Sequence, residues 1–437
     1  MKFAKIRYSK VKGEIMKEKI SFKCLPAFII LGVVTGLLIG IFKKLIGFFA
    51  GFMDGFLATG KTDDKLLFLG LLILIGLLTY FILSKDKNTK GSGIPVMTGM
   101  MEGTIAVSSE KTIIGKFVAS VLTIGSGLTV GREGPSVQLG GLAGDIVGKF
   151  FPNVDRNLFI GSAAASGFAV AFNAPVASLI FAVEEIFRTH NFSTFLSSAL
   201  TIISATVTSG LVFGDHPSLE NIPAFGNIDP KSLILIVILG ILAGLSGALF
   251  NKVVIGSKSL YKKIALPELV KYLAPFVITG LVLLIDPRLF ASGEELIYLP
   301  SEGNASLATL IYMYGAKILL LALAFGIGLS GGSLVPLLAI GAILGNIYGS
   351  ILADLGLIPV EMIYAISLIA MAGHFSAIVR TPITAIILIL EMTGGAFSNI
   401  LALAVVSFVA YLVAEMLKSK PFYEDLYERL LLTEKSS

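Results

Sequence analysis

Gly131-Arg132-Glu133-Gly134-Pro135 places two opposite charges inside a run, residues 117–142, that is otherwise uncharged. Ionisable side chains at membrane depth are costly and mark ion or proton paths. Here they sit among glycines, immediately before a proline. That is the grammar of a helix that starts inside the bilayer, with its backbone N–H groups free to face an anion. A glutamate at such a point occupies the anion's place when charged and can leave it when protonated. The plainer alternative is a surface loop carrying a solvated charge pair, and the apolar runs on both sides argue against it.

The rest of the chain extends the pattern. Of its 437 residues, 55% are hydrophobic and 14% are charged. That balance excludes a soluble enzyme and describes an all-α polytopic membrane protein embedded in a lipid bilayer. Apolar blocks at 25–40, 66–84, 195–213, 233–250, 307–328 and 400–416 include several near the roughly 20 residues a spanning helix needs. Blocks at 334–345 and 383–390 are shorter and bounded by Gly or Pro. The 47 glycines suit close helix packing and broken helices. One cysteine, Cys24, leaves no internal disulfide to form. His190, His216 and His374 lie far apart, without metal-ligand spacing, so no metal and no cofactor is expected. The N-terminus has no short apolar core before a cleavage site, so no cleaved signal peptide is expected.

The net charge of +5 follows the positive-inside pattern and does not imply a nucleic-acid partner. The N-terminal arm, residues 85–90, residues 258–271 and residues 418–420 are basic, and are expected in the cytoplasm. The connections at 215–229 and 286–302 are acidic and are expected outside. The expected organisation is a basic cytoplasmic arm at 1–24 and a first transmembrane half at 25–214. An extracytoplasmic linker follows at 215–230, then a second half at 231–423 and a short cytoplasmic tail at 424–437. Both termini then lie in the cytoplasm of a multi-pass cell-membrane protein.

The two halves repeat. Residues 126–148 align with 327–349 at an offset of 201, which sets Pro135 on Pro336 and matches Gly127, Leu128, Gly131, Gly140, Gly144, Ile146 and Gly148 with identical residues. A second pair follows at an offset of 207: Phe172-Asn173-Ala174-Pro175 falls on Val379-Arg380-Thr381-Pro382, and Glu184 on Glu391. Such repeats suit a transporter with a pseudo-two-fold axis. If the halves are inverted, the helices begun by Pro135 and Pro336 converge near the midplane from opposite sides. The repeat by itself does not fix the inversion. Bare helix ends at that depth must be buried in protein or line a polar cavity.

Gly91-Ser92-Gly93-Ile94-Pro95 is a third Gly-Pro helix start, directly after the basic stretch 85–90. The Ser92 hydroxyl can donate to an anion, with nearby N–H groups beside it. A serine before a proline-started helix is also a common cap.

Taken in order, GSGIP, GREGP and GGSLVP resemble the three signature regions of the CLC family of chloride channels and proton-coupled chloride transporters. Lys420-Pro421-Phe422-Tyr423 resembles the fourth, where a tyrosine closes the pathway. The match covers roughly residues 25–430. The resemblance implies two halves of inverted topology with broken, tilted helices, a homodimer with one pathway per subunit, and transport of chloride coupled to protons. It implies an anion site formed by Ser92, Gly93 and Ile94, by Gly131, Glu133 and Gly134, by Ser333, Leu334 and Val335, and by Tyr423. Ser92 and Tyr423 would hold the central anion, and Glu133 would be the gating glutamate. Glu185 resembles the internal proton-transfer glutamate of the exchanger branch; on residues alone, Glu184-Glu185 also reads as an acidic pair at a helix end near Arg188. The chain departs from the family at Ser333 and Leu334, where an isoleucine and a phenylalanine are usual. Val96, Met97 and Thr98 stand where acidic residues commonly follow GSGIP.

Chloride in such a site is held by partial charges, about half a positive charge at each helix N-terminus. Arg132 points away from its neighbour on a turn or helix and is expected to pair with backbone carbonyls or an acid elsewhere. The rival readings are a passive chloride channel of the same fold, a fluoride or nitrate carrier, and an intramembrane serine protease. The resemblance implies chloride at Ser92, because the fluoride branch of the family tends to replace that serine and a proline there is the usual sign of nitrate. The protease would use Ser166 or Ser333 with His190 or His374, and no recognisable protease motif holds such a pair.

Overall fold

The computed structural model describes residues 24–189, 191–214, 230–301, 305–395 and 397–434. The first half runs α1 (Leu25–Ala58), α2 (Thr62–Lys85), α3 (Ile94–Met101), α4 (Ser109–Gly125), α5 (Glu133–Gly148), α6 (Arg156–Phe172), α7 (Pro175–Phe181) and α8 (Phe192–Phe213). The second runs α9 (Pro230–Lys263), α10 (Glu268–Ile285), α11 (Leu307–Ile327), α12 (Leu334–Asp354), α13 (Met362–Val379), α14 (Pro382–Met392) and α15 (Ile400–Met416). A final helix, α16 (Phe422–Glu434), follows. Nine described helices are long and apolar enough to cross a membrane, and this is a multi-pass membrane protein. Large apolar side chains such as Phe48 and Leu211 remain exposed on the outside of the bundle.

The apolar blocks of the sequence fall in α1, α2, α8, α9, α11 and α15. α1 continues beyond its block, through Lys43 and Lys44 to Ala58. The charge is tolerated because the Lys43 ammonium donates to the Val170 carbonyl at 2.7 Å, which satisfies it inside the bundle. Of the expected arm at 1–24 all but Cys24, and of the expected linker at 215–230 all but Pro230, lie outside the described residues, as do His190, His216 and Glu302. The boundary at 423/424 falls inside α16.

Prolines start several of these helices because the first turn has no use for their missing N–H. Pro95, Pro175 and Pro382 stand in the first two positions of α3, α7 and α14. The repeat-matched Asn173 and Arg380 both close the preceding helix with a left-handed residue, at φ 54° and 72°. The close approach of α5 to α6 and of α12 to α13 depends on matched glycines. A methyl on Gly140 would strike the Ala163 carbonyl, and one on Gly341 would strike His374 and Met371.

The repeat extends through the whole packing scheme. α1 packs on α8 as α9 packs on α15, and α6 on α8 as α13 on α15. Across the middle, α2 packs on its own counterpart α10, and α7 on its counterpart α14. Elements that meet their own counterparts are the signature of a two-fold relation. The fold is therefore two repeated halves of inverted topology with broken helices, and their broken ends meet in the centre.

Candidate anion site

Three glycine turns come together where the halves meet. Gly131 and its repeat partner Gly332 exchange backbone hydrogen bonds in an antiparallel bridge, at 2.7 and 2.6 Å. The GSGIP turn joins them: Gly91 donates to the Gly328 carbonyl at 3.0 Å and accepts from Gly331 at 3.2 Å. Gly93 holds the left-handed φ of 93° that lets the chain turn straight into α3. The N-termini of α3, α5 and α12 are thus pinned beside one another, and each brings unpaired backbone N–H groups.

Glu133 sits at the first position of α5, fully buried. Its Oε2 accepts from the Val335 N–H of α12 at 3.4 Å, across the two-fold relation. Its Oε1 has no partner, and neither do the hydroxyls of Ser92, Ser333 and Tyr423, all buried. Ser92 lies directly against Gly134, and Gly332 packs on the Gly134 amide. The Tyr423 hydroxyl lies near that of Ser333 and within electrostatic reach of Glu133. Buried polar groups almost always find partners. The hydroxyls of Ser92, Ser333 and Tyr423 beside three helix N-termini can offer donors to an anion, and the carboxylate of Glu133 already reaches one of the N–H groups there. The residues expected from the sequence, Ser92, Gly93 and Ile94, Gly131, Glu133 and Gly134, Ser333, Leu334 and Val335, and Tyr423, belong to these converging segments.

A family model described as voltage gated chloride channel matches residues 70–415. The chain belongs to the voltage-gated chloride channel (CLC) family. The relative named H(+)/Cl(-) exchange transporter ClcA from Vibrio campbellii is 32% identical, covering 95% of this chain and 91% of its own length. The protein of the same name from Vibrio vulnificus strain YJ016 is 34% identical over 82% of this chain and 78% of that one. The crystal structure of a slow cyanobacterial Cl-/H+ antiporter superposes with a TM-score of 0.88 at 28% identity, over 95% of this chain and all (100%) of that one.

The supports of this CLC site include residues that sequence reasoning missed. Lys116, fully buried in α4, donates to the carbonyls of Gly91 at 2.6 Å and Thr89 at 3.2 Å. It fixes the turn that carries Ser92. Its counterpart Lys317, fully buried in α11, donates to the carbonyls of Leu289 at 2.9 Å and Ala291 at 2.8 Å. Those carbonyls belong to a turn that repeats the GSGIP turn. Asp86 and Asp286 each cap a short helical turn, and Gly93 and Gly293 are both left-handed. The chain before Tyr423 is also held: Arg380 donates to the Ser419 carbonyl at 2.7 Å, and Asn251 to that of Lys420 at 3.0 Å.

The acidic pair after α7 divides. The chain widens into a turn of π-helix over Ala182–Ile186, and the two neighbours leave in different directions. Glu184 accepts from the Ile383 and Thr384 amides and the Thr384 hydroxyl, at 3.4, 2.8 and 2.6 Å. It caps α14. Glu185 is buried and pairs with Arg188 at 2.8 Å. Arg132 turns away from the site to Glu294, at 3.4 Å. Of the serines in the protease reading, Ser166 donates to the Ala163 carbonyl at 2.9 Å, and His374 bonds the Leu337 carbonyl at 2.7 Å through Nδ1. Neither forms a serine–histidine pair among the described residues.

Proposed function

We propose that this chain exchanges chloride for protons across the cell membrane, with Glu133 as the gating glutamate and Glu185 as the inner proton-transfer group. One observation carries the reading. The Glu133 carboxylate rests on the Val335 N–H, at 3.4 Å, beside the open hydroxyls of Ser92, Ser333 and Tyr423. A carboxylate and a halide want the same donors. When ionised, Glu133 fills the place by itself. When protonated, it no longer competes, and chloride takes the N–H and hydroxyl donors. Proton binding and anion binding are then linked by mutual exclusion at one site.

The donors suit turnover. Helix N-termini and hydroxyls supply partial charges, strong enough to replace the hydration shell and weak enough to release the ion. Ser333 brings a hydroxyl of its own to this end of α12. Glu185, buried beside Arg188, acts electrostatically on Tyr423, so a second titratable group stands within reach of the site. The names of the relatives, H(+)/Cl(-) exchange transporter and Cl-/H+ antiporter, point the same way. The reading includes both termini on the cytoplasmic side, and a homodimer with one pathway in each subunit.

The test is driven flux in proteoliposomes with simultaneous chloride and pH recording. Under exchange, an imposed chloride gradient moves protons uphill. Downhill chloride flow with no proton movement would leave the passive channel standing in its place. Faster fluoride or nitrate flux than chloride flux would reassign the anion.

A further inference from the structure

One tie in the fold belongs to none of the parts described above. The Tyr427 hydroxyl, on the buried side of α16, donates to the Glu102 carboxylate at 2.6 Å. The same hydroxyl lies 2.7 Å from that of Thr104. Glu102 is the C-cap residue of α3, and the Thr104 amide closes that end by donating to the Gly99 carbonyl at 2.9 Å. The Met101 carbonyl beside them accepts from the Asn157 side chain of α6 at 3.1 Å. The end of α3 is thus anchored in the first half, and Tyr427 fastens α16 to it.

The two helices so joined carry two hydroxyls of the anion site. α3 starts at Ile94, directly after Ser92 and Gly93. Tyr423 stands one turn before Tyr427 in α16, on the same face. On its other side α16 leans on the second half: the Phe422 ring lies 5.8 Å from that of Phe250 and 5.6 Å from that of Phe325. α16 therefore bridges the halves, held to one by ring packing and to the other through the Tyr427 hydroxyl. Ring packing tolerates sliding. A hydrogen bond to a carboxylate fixes both distance and direction.

We propose that Tyr427, Glu102 and Thr104 form a clasp that sets the separation of the Ser92 and Tyr423 hydroxyls. They are positioning residues, acting through Ser92 and Tyr423 rather than on the anion. This rests on the exchange reading and adds to it the part that keeps the passage narrow. Exchange needs the anion held while Glu133 changes protonation. Chloride that slips past Tyr423 in that interval moves without a proton. The closed clasp keeps α16 from swinging away from α3 and so limits the slip.

The experiment records chloride and proton flux together in proteoliposomes for the wild type, Tyr427→Phe, Glu102→Ala, Glu102→Gln and the Tyr427→Phe/Glu102→Ala pair. Tyr427→Phe keeps the ring and removes only the hydroxyl. Glu102 is exposed, so Glu102→Ala leaves the core unchanged. Each should raise the chloride moved per proton about twofold. The pair should do no more than either alone, because both cut the same link. Glu102→Gln keeps an acceptor for the Tyr427 proton and should stay near the wild-type ratio. A wild-type ratio in Tyr427→Phe and Glu102→Ala overturns the proposal, even with a lowered melting temperature, because a tie that only stabilises the fold leaves coupling untouched. Effects that add in the pair overturn it too, because the two side chains then act apart. A wild type that moves no protons under a chloride gradient overturns the exchange reading first, before any variant is compared.

Discussion

Glu184 and Glu391 cap each other's helices. Glu184, just beyond α7, binds the first amides of α14, and Glu391, near the end of α14, binds the amides of Val176 and Ala177 in α7 at 2.9 and 2.7 Å. The two residues occupy matched positions in the repeat, so one two-fold relation makes both contacts. A carboxylate on bare N–H groups at a helix start is a charge-assisted cap. Glu184→Ala should therefore cost about 1–2 kcal/mol of stability, read as a lower melting temperature in detergent. Glu391→Ala should do the same. Neither should alter the number of protons moved per chloride. A change in that ratio with Glu184→Ala would mean that the cap also serves the proton route.

Glu133 and Glu185 should separate the two fluxes. Glu133→Ala removes the carboxylate that rests on Val335, so chloride flow should continue while uphill proton movement is lost. Glu185→Gln keeps the shape of the side chain beside Arg188 and removes its titration, so proton flux should stop and chloride flux should remain. Both are read in one liposome assay with chloride and pH electrodes. Proton pumping by the Glu133→Ala protein would end the competition scheme, because no other acid reaches the Val335 amide among the described residues.

Lys116 and Lys317 share a placement but should differ in consequence. Each is fully buried and satisfies carbonyls of a turn, two for Lys116 and three for Lys317. Replacement by Met leaves those carbonyls short of a donor, at a cost of about 1–3 kcal/mol, visible in thermal unfolding for both. Lys116→Met should also weaken chloride binding, because its turn carries Ser92. Lys317→Met should not, because its turn, at 289–291, carries Glu294 and the ion pair with Arg132 instead. Equal losses of chloride affinity in the two variants would show that the brace acts through global stability alone.

These lysines also mark how far the sequence could be read. The charged stretch at 131–135 was legible because a bilayer makes charge conspicuous, and the matched prolines followed from it. The offset of 201 that joins Pro135 to Pro336 also joins Lys116 to Lys317, so the braces could have been found by carrying the alignment one helix back. The second copy of the GSGIP turn was harder to see. It keeps Asp286, Ser292 and Gly293 at an offset of 200 from Asp86, Ser92 and Gly93, but has no proline, and the helix after it shrinks to one short turn over Glu294–Ile297. The split of Glu184 from Glu185 was not legible at all. It depends on a widened turn over Ala182–Ile186, which no residue pattern announces. The partner of Arg132 was left open between carbonyls and an acid, and only the fold brings Glu294 to it.

Gly134 tests the geometry most directly. It is the second residue of α5 and lies flat against the GSGIP turn. A methyl there would strike the Ser92 hydroxyl and, at 2.6 Å, the Ser92 carbonyl, with the Gly332 Cα at 3.2 Å behind. Backbone cannot yield as a flexible side-chain tip does, so Gly134→Ala must push α5 away from the turn that holds Ser92. The Glu133 carboxylate moves with α5 and loses its reach to Val335. The displaced Ser92 turn predicts weaker chloride binding, by tenfold or roughly 1.4 kcal/mol, and the displaced carboxylate predicts impaired proton coupling. Isothermal titration with chloride and the driven-flux assay read the two effects separately. A Gly134→Ala protein that folds, binds chloride as the wild type does and still pumps protons would mean that α5 and the Ser92 turn do not meet as described.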